Sequence, residues 1–108
     1  MDNNYYNKFY NIFTEKLKNA GITMREQDIE NFIKRFLLEG VDIYSLDIEY
    51  FEYFTKEINN KSDAKYITES IRGVYNTDEW IIGQYRLENG KLIVPLLKCS
   101  KEKIIGRR

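Results

Sequence analysis

Residues 87–94, LENGKLIV, constrain the fold of this chain more than any other stretch. A two-residue hairpin turn of the favoured hand needs positive φ at both central positions, and Asn89-Gly90 supplies the residue types that tolerate it. The flanking runs WIIGQYRL and KLIVPLLK therefore read as an antiparallel hairpin over about 80–98. In the register that the turn sets, Glu88 faces Lys91, Leu87 faces Leu92, Tyr85 faces Val94 and Gly83 faces Leu96. Trp80, Ile82, Ile93 and Leu97 then share the second face, which is also apolar. Two strands cannot cover themselves, so both faces need packing partners. Pro95 lacks an N–H and is expected at an edge or pointing outward.

The rest of the chain carries helical periodicity. Tyr6, Phe9, Phe13, Leu17 and Ala20 recur at three- and four-residue spacing, predicting a helix over about 2–20 that Gly21 ends. Thr23 and Glu26 form a capping-box pattern for a second helix over about 24–39, whose stripe is Ile29, Phe32, Ile33, Phe36 and Leu37, with Gly40 as its stop. A third helix is read over about 45–59: Ile48, Phe51, Thr55 and Ile58 on one side, Glu49, Glu52 and Lys56 opposite, and Leu46, Tyr50 and Tyr53 on a flank. A fourth runs over about 63–75, with Ala64, Ile67, Ile71 and Val74 inward, and residues 100–108 read as a basic tail. The expected fold is a single α+β domain of 108 residues: about four α-helices followed by a C-terminal antiparallel β-hairpin.

Composition narrows the chemistry. The chain has no His and one cysteine, Cys99, and it carries neither a Gly-rich phosphate loop nor ligands at metal-binding spacing. The close carboxylates Asp47/Glu49 and Asp78/Glu79 read as a helix start and a solvated turn. The expectation is a protein with no catalytic residues, no metal and no cofactor. The opening MDNNYYNKFY is polar and aromatic where a secretory leader is basic and then apolar, and no run is long and apolar enough to span a bilayer, so a cytoplasmic protein is expected.

Function must then come from surfaces. The sixteen aromatic residues, nine Tyr, six Phe and one Trp, favour a protein-binding face. Leu46, Glu49, Tyr50, Glu52 and Tyr53 on the third helix, with Trp80 and Ile82 on the hairpin, are the candidate partner-binding residues. The apolar second face of the hairpin also admits a homodimer. Basic and acidic residues balance at seventeen each, but residues 1–60 hold seven of the former against eleven of the latter, and residues 61–108 ten against six. The basic half offers an alternative: a winged-helix-like DNA-binding regulator, with 63–75 as the reading helix and the hairpin as the wing. Its nucleic-acid-binding residues would be Lys65, Arg72, Arg86, Lys91, Lys98, Lys101 and Lys103. Glu69, between Lys65 and Arg72 on one helix face, opposes phosphate contact there. A helix-turn-helix at NAGITMRE is disfavoured, since Gln27 and Glu30 stand where that motif places apolar residues, leaving a plain αα-hairpin as the better reading.

LENGKLIV, eight residues in all, resembles a stretch in the small phage-encoded anti-CRISPR proteins that inhibit Cas9. This chain departs from that pattern in having no strongly basic N-terminal arm. The resemblance implies a stoichiometric inhibitor or adaptor of phage or mobile-element type, whose partner is a nuclease of bacterial CRISPR-Cas defence.

Overall fold

The computed structural model describes residues 3–75, 77–102 and 104. At its centre lies one strand, β4 (Lys91–Ser100), in which residues 92–97 and Cys99 are all buried. Side chains alternate across a strand, so burial of consecutive residues requires cover on both faces. On one face, Leu97 and Cys99 pack against Phe9, Phe13 and Leu17 of α1 (Asn3–Asn19) and Phe32, Ile33 and Phe36 of α2 (Glu26–Glu39). On the other, Leu92, Val94 and Leu96 pack against Ala64 and Ile71 of α3 (Lys61–Val74). The sheet between them is antiparallel. β1 (Asp47–Glu57) runs the length of β4 on one side, and the short strands β2 (Trp80–Ile82) and β3 (Arg86–Glu88) follow one another along its other side.

The helices follow the apolar stripes read from the sequence. Gly21, at φ 74°, turns the chain so that the Ile22 N–H donates back to the Leu17 carbonyl at 2.9 Å. Gly40, at φ 73°, lets Val41 donate to Phe36 in the same way, also at 2.9 Å. The predicted Thr23 capping box is not formed. α2 starts at Glu26, because burying Met24 keeps the preceding segment extended, and the cap residue Arg25 has no side-chain cap bond. Its N–H is met from elsewhere, by the Tyr53 hydroxyl at 2.9 Å. α3 starts at Lys61, where the Asn60 side chain accepts from the Ser62 N–H. Its inward residues are Ala64, Thr68 and Ile71, whereas Val74, expected inside, is exposed.

Residues 47–57 correct the sequence reading: they form a strand, not a helix. The β1–β4 register shifts between Ile48 and Tyr50, a bulge that inserts one residue. Ile48 and Phe51 thereby reach the same face three residues apart, both against the α1–α2 core. That spacing imitates a helix. Beyond the bulge the period is two: Tyr53 faces α2, while Phe54 packs on the α3 side. Aromatic and β-branched residues dominate this stretch, which suits a pleated surface.

The hairpin register also changes part-way. Glu88↔Lys91 and Leu87↔Leu92 pair as expected around Asn89 and Gly90, whose φ values are 52° and 78°. Farther from the turn it is Ile82, not Gly83, that pairs with Leu96. One extra residue lies between β2 and β3, so Ile82 crosses to the α3 side and Ile81 takes the α1–α2 side. Pro95 accounts for the break. Its carbonyl accepts from the Gly83 N–H at 2.8 Å, so its N–H-less nitrogen faces this same side and has nothing to donate where β2 would run into β3. A proline thus sits inside the central strand, contrary to the edge expectation. The helices α1 and α2 are separated from α3 by the sheet, so the helix packing of a winged helix is not formed.

Gly83 makes the close approach at this break possible. A Cβ there would meet Pro95 Cβ at 2.9 Å, Pro95 Cγ at 3.0 Å and Phe32 Cζ at 3.1 Å. Gly83→Ala is expected to destabilise the fold by about 1–3 kcal/mol in urea denaturation, as overpacking does. An unchanged midpoint would show that the ring and Phe32 do not press on this backbone.

Candidate functional site

The outer side of β1 is a free sheet edge. Ile58 N–H donates to Gly90 O at 3.0 Å, continuing the β1–β4 ladder and fixing its parity. Even-numbered residues of β1 beyond the bulge thus bond to β4, and the backbone groups of Phe51, Tyr53, Thr55 and Glu57 point away from the sheet. Among the described residues none of these outward groups has a backbone or side-chain partner.

The α2 side of this strand is held by a buried polar network. Asp28, in the first turn of α2 and 1% exposed, accepts from Tyr53 Oη at 2.6 Å through Oδ2 and from Arg86 Nη1 at 2.6 Å through Oδ1. Arg86 Nε donates to Glu88 at 3.0 Å, and Arg25 Nη1 reaches the same Glu88 oxygen at 2.7 Å. Both guanidinium groups lie over the Tyr53 ring, at 5.7 and 5.8 Å from its centre. Burial, and then the bond to Asp28, push the Tyr53 phenol above its ordinary value. The bonds from Arg25 and then Arg86 hold the Glu88 carboxyl below its own. Each charge here is matched within the cluster, which suits a clamp between α2, β1 and β3 better than proton transfer to a substrate. Among the described residues no three His, Cys, Asp or Glu side chains converge as a metal site would need. Cys99 is buried, and burial pushes its thiol up to about 11.

The α3 side of the sheet carries an aromatic and charged patch. Tyr50 and Trp80 both pair with Lys98 across β4, so the three share one face. The Trp80 ring meets Tyr50 edge-on at 6.2 Å and Tyr75 at 4.8 Å. Lys98 is flanked by Glu49 at 3.7 Å and Glu79 at 3.8 Å, and the Tyr50 hydroxyl donates to Glu52 at 3.2 Å. Two carboxylates therefore flank the Lys98 ammonium, and a third, Glu52, lies beside Tyr50. At the β2 edge a different surface opens, a shallow depression of about 470 Å³ lined in part by Lys34, Arg35, Arg72, Gln84 and Tyr85.

The candidate residues separate on this scaffold. Glu49, Tyr50, Glu52 and Trp80 come together in the patch. Leu46 and Ile82 are core residues, 1% and 8% exposed, and offer no side chain to a partner. Tyr53 lies on the opposite face, within the Asp28 network. Of the basic set, Arg86 is consumed by Asp28 and Glu88, Lys98 is flanked by Glu49 and Glu79, and Arg72 lies 3.7 Å from Glu69. Lys65 and Lys91 are exposed, Lys101 borders a neighbouring depression with Arg35, and Lys103 lies outside the described residues. Asp28, Arg25 and Glu88 were not singled out from the sequence. The available signal was an acid, Asp28, on the same helical stripe as Phe32. Among the described residues no helix is long and apolar enough to cross a membrane. No protein-family model, curated protein or solved structure matches this chain.

Two outcomes follow from this geometry. Asp28→Ala should cost about 3–5 kcal/mol in urea denaturation, because the partly buried Arg86 loses its short bond to Asp28 and keeps Glu88 alone, and adding Arg86→Met should recover much of that loss; a small single-variant effect would remove the clamp. For Cys99, the thiol ionises more easily in the unfolded chain, so its contribution to stability holds below the ordinary value of 9.0 and is lost as pH rises through about 11. At pH 8 an alkylating reagent should label native protein at least about 100-fold more slowly than urea-unfolded protein, and equal rates would contradict the burial.

Proposed function

We propose that the protein works by binding and not by turnover, as a small inhibitor or adaptor that acts in stoichiometric amounts on a macromolecular partner. The observation that carries this reading is the patch of Tyr50, Trp80 and Tyr75 around Lys98. Tyr50 is 49% exposed, and Glu49, Glu52 and Glu79 give its rim a net negative sign. Rigid aromatic rings with a charged rim are the usual makings of a protein interface. The negative rim suits a partner with a basic surface, such as the channel in which a nuclease holds nucleic acid. A CRISPR-Cas effector is one partner of that class. The LENGKLIV resemblance adds little weight of its own, because hairpin geometry alone favours that string.

A small DNA-binding regulator is the second reading, favoured by the depression where Lys34, Arg35 and Arg72 gather near Tyr85. It is the weaker one, since Glu39 lies 3.2 Å from Arg35 and Glu69 lies 3.7 Å from Arg72.

Affinity capture from bacterial lysate, comparing the wild-type chain with a Tyr50→Ala/Glu79→Lys variant, tests the first reading. Both residues are exposed, so the variant should keep its melting temperature while losing the captured protein by about tenfold or more. Identical capture by both chains would overturn the patch. Binding to random duplex DNA at low salt should be negligible, and strong binding that weakens steeply with added salt would favour the regulator.

A further inference from the structure

The two edges of the sheet are treated differently. At β2 the strand is three residues long, Trp80 N–H donates to Thr77 O at 3.4 Å, and Arg35 Nη1 donates to Ile82 O at 3.0 Å. A short, capped edge of this kind resists pairing with another chain. β1 is eleven residues long and is interrupted only by the bulge at its start. Past that bulge its outward donors and acceptors form an open template. An edge like this is normally covered by something.

Charge and symmetry identify the cover. We propose that β1 pairs antiparallel with β1 of a second copy, about a two-fold axis at Phe54, joining two sheets into one. This goes beyond the partner patch and does not depend on it. With the axis at Phe54, Tyr53 lies opposite Thr55 of the other copy and Phe51 opposite Glu57, so the outward-pointing backbone groups of both strands meet. On the α3 face Phe54 meets its own counterpart. Glu52 comes opposite Lys56 of the second copy, twice by symmetry, as a close cross-strand pair of opposite charge. Within one chain Lys56 forms no ion pair among the described residues, and Glu52 accepts only from Tyr50. Moving the axis one residue either way keeps the outward groups facing but sets Glu52 and Lys56 against uncharged residues, and moving it two sets Glu52 against Glu52 or Lys56 against Lys56, so opposite-charge pairing favours the Phe54 axis.

Apolar surface points the same way. Beside Phe54 an open depression of about 300 Å³ is walled by Ile67, Ile71, Val74 and Tyr75, and Val74 is 75% exposed. The axis at Phe54 carries the identical surface of a second copy towards it, so each copy covers the other's apolar wall. A single chain of this sequence leaves both the strand edge and that wall to water.

Sedimentation equilibrium of the intact chain, with charge-reversed variants, tests the pairing. Wild type should dimerise. Glu52→Lys and Lys56→Glu each place like charges opposite one another at two symmetric positions and should weaken the dimer by about tenfold or more. An equimolar mixture of those two variants should restore it as a heterodimer, since every facing pair is then opposite in sign. The Glu52→Cys/Lys56→Cys double variant should oxidise to a covalent dimer while neither single cysteine variant does, because the facing positions form a close pair without ladder bonds. Both side chains are exposed, so unchanged circular dichroism will show that the fold survives. A wild-type chain that stays monomeric at every concentration overturns the inference. So does a dimer that ignores the charge reversals and does not crosslink, and either result leaves the capture experiment on Tyr50 and Glu79 interpretable by itself.

Discussion

Burial of β4 on both faces governs the rest of the structure. Leu92, Val94 and Leu96 on one side and Leu97 and Cys99 on the other are within 1% of full burial, which a sheet covered on one face alone could not achieve. The chain answers with two helices on one face and one on the other. The single proline in that strand then sets the shape of the neighbouring edge. With no N–H to give at Pro95, the ladder on that side splits into β2 and β3, and Gly83 provides the only side-chain-free position at the break.

Much of the fold could be read from periodicity, and the failures have identifiable causes. α1 and α2 are long enough for a 3.6-residue stripe to be unambiguous, and Gly21 and Gly40 mark their ends through positive φ. The Asn89-Gly90 turn fixes the local register around it. That register did not survive as far as Ile82, because the residue inserted opposite Pro95 depends on a tertiary contact between Gly83 and Phe32. Residues 47–57 misled for a related reason: one bulge turns a strand's two-residue period into a three-residue step between Ile48 and Phe51, and a single helical step is enough to suggest a helix when Thr55 and Ile58 extend the series.

The site was less legible than the fold. Tyr50, Glu52 and Trp80 read as surface residues, and they meet because Lys98 brings β1 and β2 to either side of β4, a non-local pairing invisible in local pattern. Tyr53 and Arg86 looked like surface contacts and are instead held by Asp28. A buried acid with two short bonds rigidifies α2 against β1 and β3, and that stiffness presents the outward backbone of β1 as a straight template. The functional reading and the self-pairing inference both rest on the same reassignment of residues 47–57 from helix to strand.

That reassignment is most directly tested by nuclear Overhauser contacts between α-protons. Tyr53 and Pro95 face each other as a pair without ladder bonds between β1 and β4, and Ile82 faces Leu96 likewise between β2 and β4, so each pair should give a strong α-proton to α-proton contact. Strong sequential amide-to-amide contacts through 47–57, with the Tyr53–Pro95 contact absent, would mean a helix there, and the covered central strand with its open edge would have to be abandoned.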